Sequence, residues 1–334
     1  MALLEIRRQH LDHNLTTLSL KAGSKERLAA VLKDNAYGHG LEPIASLCAS
    51  FGIPKAVVRT ADEAQRITEY FDDVVILNDR ARKHPKWRFA LNTLEDIAQA
   101  QAGARVDLKI DTGMHRNGIA IDELDEALRR IDQRGLELVG VMTHYRSADV
   151  LSSEYFWQKK RFDAIRAKLD GQGLRLQYHS HNSAALLRCN DFDEDFARVG
   201  IAMYGYDERP DVWRRADLKP VMRLVAERIA TRHIGRGERV GYGGDFVAPH
   251  DMTVSTYDIG YGDGWRRGDA HAPFVTAEGK AILGRVSMDM LTLEGDADRV
   301  CLFEDAQEAA RQFGTISYEV MTALSPHIKR VVVS

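Results

Sequence analysis

Through roughly the first two thirds of the chain, short apolar runs alternate with longer stretches of mixed character. The runs fall at 28–32, 56–58, 74–77, 89–91, 106–110, 136–142, 174–178 and 196–203, and each reads as a buried β-strand. Between them, 61–71, 93–101, 121–133 and 154–169 repeat apolar side chains near a 3.6-residue period, which predicts amphipathic helices. Eight strand-then-helix units in series predict an α/β fold, a closed parallel (β/α)8 barrel. An open doubly wound sheet would want a glycine-rich dinucleotide turn after its first strand, and none is visible. After about Tyr206 the rhythm changes. Segments 224–234, 239–241, 253–259, 281–293 and 299–303 read as strands with little helix between them, punctuated by glycine-rich connections such as Gly260-Tyr261-Gly-Asp-Gly264. The expected organisation is a barrel over 7–215, followed by a mainly-β domain over 216–334 that the strand at 1–6 joins.

Composition narrows the class of protein. Of 334 residues, 44% are hydrophobic and 28% charged, which excludes wholesale disorder and fibrous architectures. A net charge of −3 leaves no electrostatic footprint for nucleic acid. No apolar run approaches the ~20 residues that span a bilayer, so no membrane partner is expected. Glu5, Arg7 and Arg8 interrupt the N-terminus before any apolar core of a secretory signal could form. The cysteines Cys48, Cys189 and Cys301 are odd in number and widely spaced, which suits a reducing cytoplasm. The expectation is a cytoplasmic enzyme.

Candidate chemistry collects where barrels keep it, at the C-terminal strand ends. The first strand delivers Lys33, and a lysine ending a buried strand is costly unless it is paired or covalently used. The fifth delivers Lys109 and, just beyond, Arg116. The sixth ends in Thr143-His144, the seventh in His179-Ser-His181-Asn182-Ser183, and the eighth in Arg198-Val-Gly200-Ile201. This concentration of cations in a net-negative chain points to an anionic ligand carrying phosphate and carboxylate. Asn182, Ser183, Gly200 and Ile201 lie on the loops that commonly cradle phosphate in barrels, and Tyr37 offers a phenol. A phosphorylated cofactor beside a reactive lysine suggests pyridoxal 5'-phosphate held as a Schiff base.

The segment Ala30-Val-Leu-Lys33-Asp-Asn-Ala-Tyr37-Gly-His-Gly40 resembles the pyridoxal-phosphate attachment motif of alanine racemases, fold type III enzymes of that cofactor. Further matching blocks follow in the family's order: Leu108-Lys109-Ile-Asp-Thr-Gly-Met-His-Arg116, Gly140-Val-Met-Thr-His144, 179–183, 198–205, Gly241-Tyr242-Gly243 and Gly284-Arg-Val-Ser-Met288-Asp289. The resemblance spans essentially the whole chain. It implies that Lys33 binds the cofactor and acts as one base, while Tyr242, from the partner subunit of a homodimer, acts as the other. It places Arg198 against the pyridine nitrogen with His179 behind it, and makes His144 the link to Tyr242. Tyr37, Ser183, Gly200 and Ile201 would hold the phosphate. Arg116 and the backbone of Met288 would position the substrate carboxylate, and Tyr261 would stand at the entrance. Lys109 matches a lysine that is carbamylated in many members. The implied activity is interconversion of L- and D-alanine, supplying D-alanine for peptidoglycan. The chemistry independently wants two bases, because racemisation removes a proton from one face of Cα and returns one to the other.

Three departures from the family pattern stand out. Pro326 occupies the place of a frequent gate tyrosine. Arg146 replaces a usual small residue near the mouth and is expected to pair with Asp149. Ser287 replaces a frequent cysteine. His39 is expected to be a hydrogen-bonding residue at a helix start, and the His179-x-His181 pair is not expected to bind metal, since no acidic or cysteine partner stands at neighbouring strand ends. The competing activities are a racemase of broader range, acting on serine or lysine, and a non-catalytic pyridoxal-phosphate carrier on the same barrel. The carrier would lack the second domain. A fold-related decarboxylase would place an acidic residue, not Arg198, at the pyridine nitrogen.

Overall fold

The computed structural model describes residues 2–269 and 271–334. The chain divides into two compact units, one built from Leu11–Asp34 and Ile44–Lys219, the other from the segment up to His10 together with Asn35–Pro43 and Pro220–Ser334. A short piece after the first barrel strand thus groups with the second unit.

An N-terminal strand β1 (Leu3–Arg7) precedes the barrel strands β2 (Leu28–Val31), β3 (Lys55–Val58), β4 (Asp73–Ile76), β5 (Trp87–Leu91), β6 (Arg105–Lys109), β7 (Glu137–Met142), β8 (Gln177–His179) and β9 (Ala197–Val199). All eight expected barrel strands are present. They pair in parallel in the order β8-β7-β6-β5-β4-β3-β2-β9. Arg198 N–H donating to His181 O at 2.9 Å and Asp195 N–H to Tyr178 O at 3.1 Å bridge the remaining seam, so the barrel is nearly closed. Its strands are mostly apolar on both faces because helices cover the outside. The helix Leu124–Gln133, for example, buries Leu124, Ala127 and Ile131 on one stripe. Each large apolar side chain so buried stabilises the fold by ~1.5–3 kcal/mol. The helix Ala61–Ile67 starts with a capping box, Thr60 Oγ1 accepting Glu63 N–H at 3.3 Å while the Glu63 carboxylate accepts Thr60 N–H.

The second unit contains β10 (Met222–Ile234), β11 (Arg239–Val240), β12 (Phe246–Val247), β13 (Met252–Tyr257), β14 (Leu291–Glu294), β15 (Arg299–Phe303) and β16 (Lys329–Val333). Its long strand β10 pairs β1 and β15 with one half and β13 with the other, across register shifts. β1 lies between β10 and β16, so the N-terminal strand belongs to this sheet. The strand expected over 281–293 is largely absent. Only Leu291–Glu294 pairs regularly, because Gly284 turns the chain at φ +70° and a Ser287–Met290 turn interrupts it. Two helices, Ala306–Phe313 and Ser317–Ala323, also go beyond the expectation. Among the described residues no helix is long and apolar enough to cross a membrane.

Candidate active site

Lys33 follows β2 at the barrel mouth, and the four residues after it form a left-handed turn. Asp34, Asn35, Ala36 and Tyr37 all have φ between +52° and +55°. Each L-residue in this region costs ~1–2 kcal/mol, so the turn persists only because its surroundings over-determine it. The Glu63 carboxylate that caps the next helix also accepts Asp34 N–H at 2.7 Å. Asn35 O accepts Gly40 N–H at 3.0 Å, and Asn35 Oδ1 accepts Leu41 N–H at 2.9 Å. Gly38 must be glycine, since a Cβ there would lie 2.0 Å from Met321 O. His39 Nδ1 lies 3.1 Å from Ala36 O and 3.2 Å from Tyr37 O, so its role is to close this turn, not to start the helix that begins at Leu41. Burial lowers its pKa to about 3 and keeps it neutral. Lys33 Nζ stands 3.8 Å from Asp34 Oδ2 and is partly exposed, and the Tyr37 ring lies 5.7 Å from that of Tyr318.

Lys109 ends β6, buried, and the loop beyond it is tied down at several points. Asp111 Oδ1 accepts the N–H groups of Gly113, Met114 and His115 at 2.8–3.2 Å, an Asx-type turn that leaves Arg116 exposed on the rim. Arg146 holds the same loop by donating to Gly113 O at 2.7 Å, and its other nitrogen bonds Glu154. The expected Arg146–Asp149 pair is therefore replaced by a clamp between Gly113 and Glu154.

His179 and Arg198 sit together inside the barrel, both buried. Arg198 Nη1 is 3.0 Å from His179 Nδ1, and Nη2 donates to Thr143 O at 2.7 Å. Burial lowers Arg198 to about 10, opposed by Glu194, Tyr145 and Asp107, so it stays protonated at neutral pH. Lys109 falls to about 8, through burial and then through Arg198 and Arg116, with Lys33 adding to the effect. His144 falls to about 3 through burial and the same cations. Lys33, Lys109, Arg116 and Arg198 thus converge on one mouth, and their mutual repulsion favours an anion there. His181 faces away from this group, its Nδ1 3.1 Å from Glu194 Oε2. Among the described residues no group of three or more His, Cys, Asp or Glu could hold a metal ion.

The loops after β8 and β9 meet at Ser183. Its Oγ accepts Gly200 N–H at 3.0 Å and Ala202 N–H at 3.3 Å, and Asn182 caps the short helix that follows by accepting Ala185 N–H at 2.9 Å. A buried hydroxyl and converging N–H groups form a cradle that suits phosphate oxygens. Ile201 lines it, buried.

In the second unit, Tyr242 occupies the connection between β11 and β12, where Gly241, Gly243 and Gly244 all have φ between +60° and +75°. Its side chain is 67% exposed. Met288 and Tyr261, also exposed, are brought together because Gly262 N–H donates to Met288 O at 2.8 Å and Tyr261 N–H to Ser287 O at 3.1 Å. Gly260 permits this approach, since a Cβ there would lie 2.2 Å from Met288 O.

Several residues that shape the site escape the sequence reading. Arg88 and Asp107 are fully buried charges beneath His179, and Asn117 and Asn92 lead to Lys109. The signal was alternation. Strand residues two apart share a face, so the inward Lys109 implies an inward Asp107.

Both halves of the chain match known families. The family model described as alanine racemase, N-terminal domain, matches residues 6–208, and that for the C-terminal domain matches 221–332. The chain is 46% identical over 335 residues to a protein named alanine racemase from a Nitratiruptor species, covering 99% of each. It is 42% identical over 325 residues to another of that name from Campylobacter concisus, covering 95% and 96%. The solved alanine racemase of Bacillus anthracis, with bound L-Ala-P, superposes with a TM-score of 0.90 at 26% identity, over 100% of this chain and 95% of that one. That of Clostridium difficile 630 gives 0.88 at 27%, over 99% and 95%.

Proposed function

The chain belongs to the alanine racemase family and is an isomerase of that family, and from this premise we propose that it interconverts L- and D-alanine with pyridoxal 5'-phosphate carried on Lys33. The observation that carries the reading is the convergence of Lys33, Lys109, Arg116 and Arg198 around His144 at the barrel mouth. The residues present fit the cofactor. Excess positive charge awaits an anion, the Ser183–Gly200 cradle matches a phosphate, and buried Arg198 offers a hydrogen-bond donor to a ring nitrogen. When bound, the cofactor supplies an electron sink that acidifies the Cα–H bond of the amino acid joined to it.

In this reading Asn182, Ser183, Gly200, Ile201 and Tyr37 hold the phosphate group. Arg198 donates a hydrogen bond and no proton, because a guanidinium stays charged at neutral pH. Arg116 and the backbone of Met288 orient the substrate carboxylate, and Tyr261 narrows the entrance. Lys33 takes or returns the proton on one face of Cα and Tyr242 does so on the other, with His144, neutral at working pH, relaying from Tyr242. Lys109 carries a carbamate that offsets the charge of Arg116. The exposure of Tyr242 suits a residue contributed to a partner subunit, hence a homodimer with shared sites. Alanine is favoured over acidic substrates because Arg146, the extra cation, is already engaged by Glu154 and Gly113. The product D-alanine would feed peptidoglycan synthesis in the cytoplasm.

The test is an assay of the purified protein on a panel of L-amino acids, reading the D-enantiomers, together with borohydride reduction and peptide mapping. Alanine should be turned over fastest and the reduced label should fall on Lys33. A colourless protein that takes up no pyridoxal phosphate, or label on Lys109, overturns the reading.

A further inference from the structure

The inside of a parallel barrel is ordinarily filled by layers of Val, Ile and Leu. Here, directly beneath the His179–Arg198 pair, the layer is ionic. Arg88, on β5, is fully buried and donates through Nε to both oxygens of Asp107, at 3.2 and 3.1 Å, and through Nη2 to Oδ1. Its Nη1 donates to Asp73 Oδ2 at 2.9 Å and to Gln177 Oε1 at 2.6 Å. Gly140, on β7, makes the room. A Cβ there would lie 2.6 Å from Arg88 Nη2 and 2.7 Å from Asp107 Oδ1. Replacing such a buried pair with apolar residues is often neutral or stabilising, so stability alone is a weak reason for it.

Its geometry points upward to His179. Arginine has only donors, so the contact of Arg198 Nη1 with His179 Nδ1 at 3.0 Å requires a bare lone pair on Nδ1. Burial lowers the His179 pKa to about 4, so the ring is neutral and carries a single proton, which must then sit on Nε2. Asp107 Oδ2 is 3.4 Å from that nitrogen, a charge contact short of an aligned hydrogen bond, so the carboxylate draws the ring proton to Nε2 through its charge. Phe196 stacks on the ring at 4.3 Å and 18°, which fixes its plane. We propose that Asp107 is a positioning residue: it holds His179 as the Nε2–H tautomer, so that Nδ1 is left to accept from Arg198, while Arg88, seated over Gly140, keeps the carboxylate in place. With the opposite tautomer an N–H would face the guanidinium, and Arg198 would be pushed from its position. The proposal rests on the reading of Arg198 as the group that faces the cofactor ring. The tautomer itself is a property of this chain alone.

The experiment is nitrogen NMR of the full-length protein, labelled with 15N in the histidine rings, both with its cofactor and after cofactor removal. His179 should be neutral and protonated on Nε2 from about pH 6 to 9 in both forms. In Asp107→Asn, Arg88 takes the amide oxygen, because it cannot accept. The amide NH2 then faces Nε2, and the ring should switch to the Nδ1–H tautomer. Racemase kcat should fall ~10- to 100-fold, the usual effect of losing a group that orients a functional histidine, with KM for alanine little changed. A merely structural ion pair would leave the tautomer alone. An Nδ1–H or doubly protonated ring in the wild type, or an unchanged tautomer in Asp107→Asn, overturns the proposal. Should Asp107→Asn not fold, the wild-type protein still tests the proposal, because an Nδ1–H or doubly protonated His179 there overturns it. Absence of racemase activity with the Nε2–H tautomer intact would instead count against the proposed function.

Discussion

Lys109 Nζ donates to Oδ1 of Asn117, and the Asn117 amide is turned that way because its Nδ2 donates to Asn92 Oδ1 at 2.9 Å. Asn92 is itself oriented, since its Nδ2 donates to Leu77 O at 3.2 Å and Ala90 O at 3.1 Å. The polarity of the chain therefore runs from barrel carbonyls to the lysine and leaves Lys109 facing an acceptor. That acceptor favours the ammonium form, against burial and the neighbouring cations that bring the lysine to about pH 8. Asn117→Leu removes it, so the pKa should drop further and the neutral amine should appear at lower pH. Carbon dioxide adds only to the neutral amine. With 13C-bicarbonate, a Lys109 carbamate signal should therefore rise through about pH 8 in the wild type and at lower pH in the variant. A rise centred at the ordinary lysine value would show that the crowding is absent.

In the segment that leads to Ser183, a second buried network sets a pH limit on stability. His181 Nδ1 pairs with Glu194 Oε2 at 3.1 Å, Ser180 Oγ also bonds Glu194, and Tyr145 Oη is 2.7 Å from Ser180 Oγ. Burial would lower the His181 pKa, but hydrogen bonding to Cys189 and Glu194 and the Glu194 charge raise it to about 9. Glu194 is lowered to about 2 despite burial, by His181 and Ser180. Because the folded pKa of His181 lies above its unfolded value of ~6.5, the stabilisation is full below that pH and is lost as pH rises through about 9. Urea unfolding of the barrel should show a loss of up to ~3 kcal/mol across this window. His181→Gln should flatten the dependence and destabilise at neutral pH by ~3–5 kcal/mol, since Glu194 is left unpaired. A wild-type barrel equally stable at both ends of the window would contradict the pairing.

Gly140 should be intolerant of even one carbon. Its Cβ would meet Arg88 Nη2, Asp107 Oδ1 and Gln177 O, all within 2.7 Å, and the last is backbone that cannot swing aside. Gly140→Ala should destabilise by ~1–3 kcal/mol from overpacking, and by more if the buried pair is broken. Gly171→Ala, with nothing within 4 Å and no positive φ, is the control and should stay near the wild-type melting temperature. Equal melting temperatures for the two variants would show that the barrel interior around Gly140 has room for a methyl group.

How much of this was legible in the sequence depends on whether the signal was local. Barrel strands declare themselves through apolar runs, and β2 to β9 lie where the runs do, because both faces of a parallel sheet are buried. The strand reading failed over 281–290, where residues of high strand propensity are folded into turns by Gly284 and by the Ser287–Met290 hydrogen bonds. The helix Ala306–Phe313 did carry local signals, an N-cap Asp305 accepting Gln307 N–H at 2.7 Å and Gly314 at φ +64°, but its few apolar residues hid them. At the site, a motif exposed Lys33 but not the left-handed turn behind it, whose strain is held in part by Glu63, a residue 29 positions further along the chain. Arg88 was hidden for a related reason, and Asp107 shows only through its alternation with Lys109. A charge inside an apolar strand reads as a rim residue until its partner on the next strand is known.

The shared-site reading makes a prediction that separates it from a site completed within one chain. Lys33 belongs to one compact unit and Tyr242 to the other, with Tyr242 exposed at the tip of its glycine-rich turn. Lys33→Ala and Tyr242→Phe should each lower racemase activity at least ~100-fold, the usual contribution of a positioned base. The two inactive proteins are then unfolded or dissociated together and reassembled in equal amounts. In a mixed dimer with exchanged turns, one site receives both intact residues and the other receives both lesions. Random pairing makes half the dimers mixed, so about a quarter of the wild-type activity should return. If each chain completed its own site, every site in the mixture would keep one lesion and nothing would return. The readout is D-alanine formed per milligram, with the mixed dimer isolated through distinct tags on the two chains so that failed assembly is not mistaken for failed complementation. Recovery in that isolated species establishes that Tyr242 acts across the interface, and its absence there means that the turn at Gly241–Gly244 serves its own barrel.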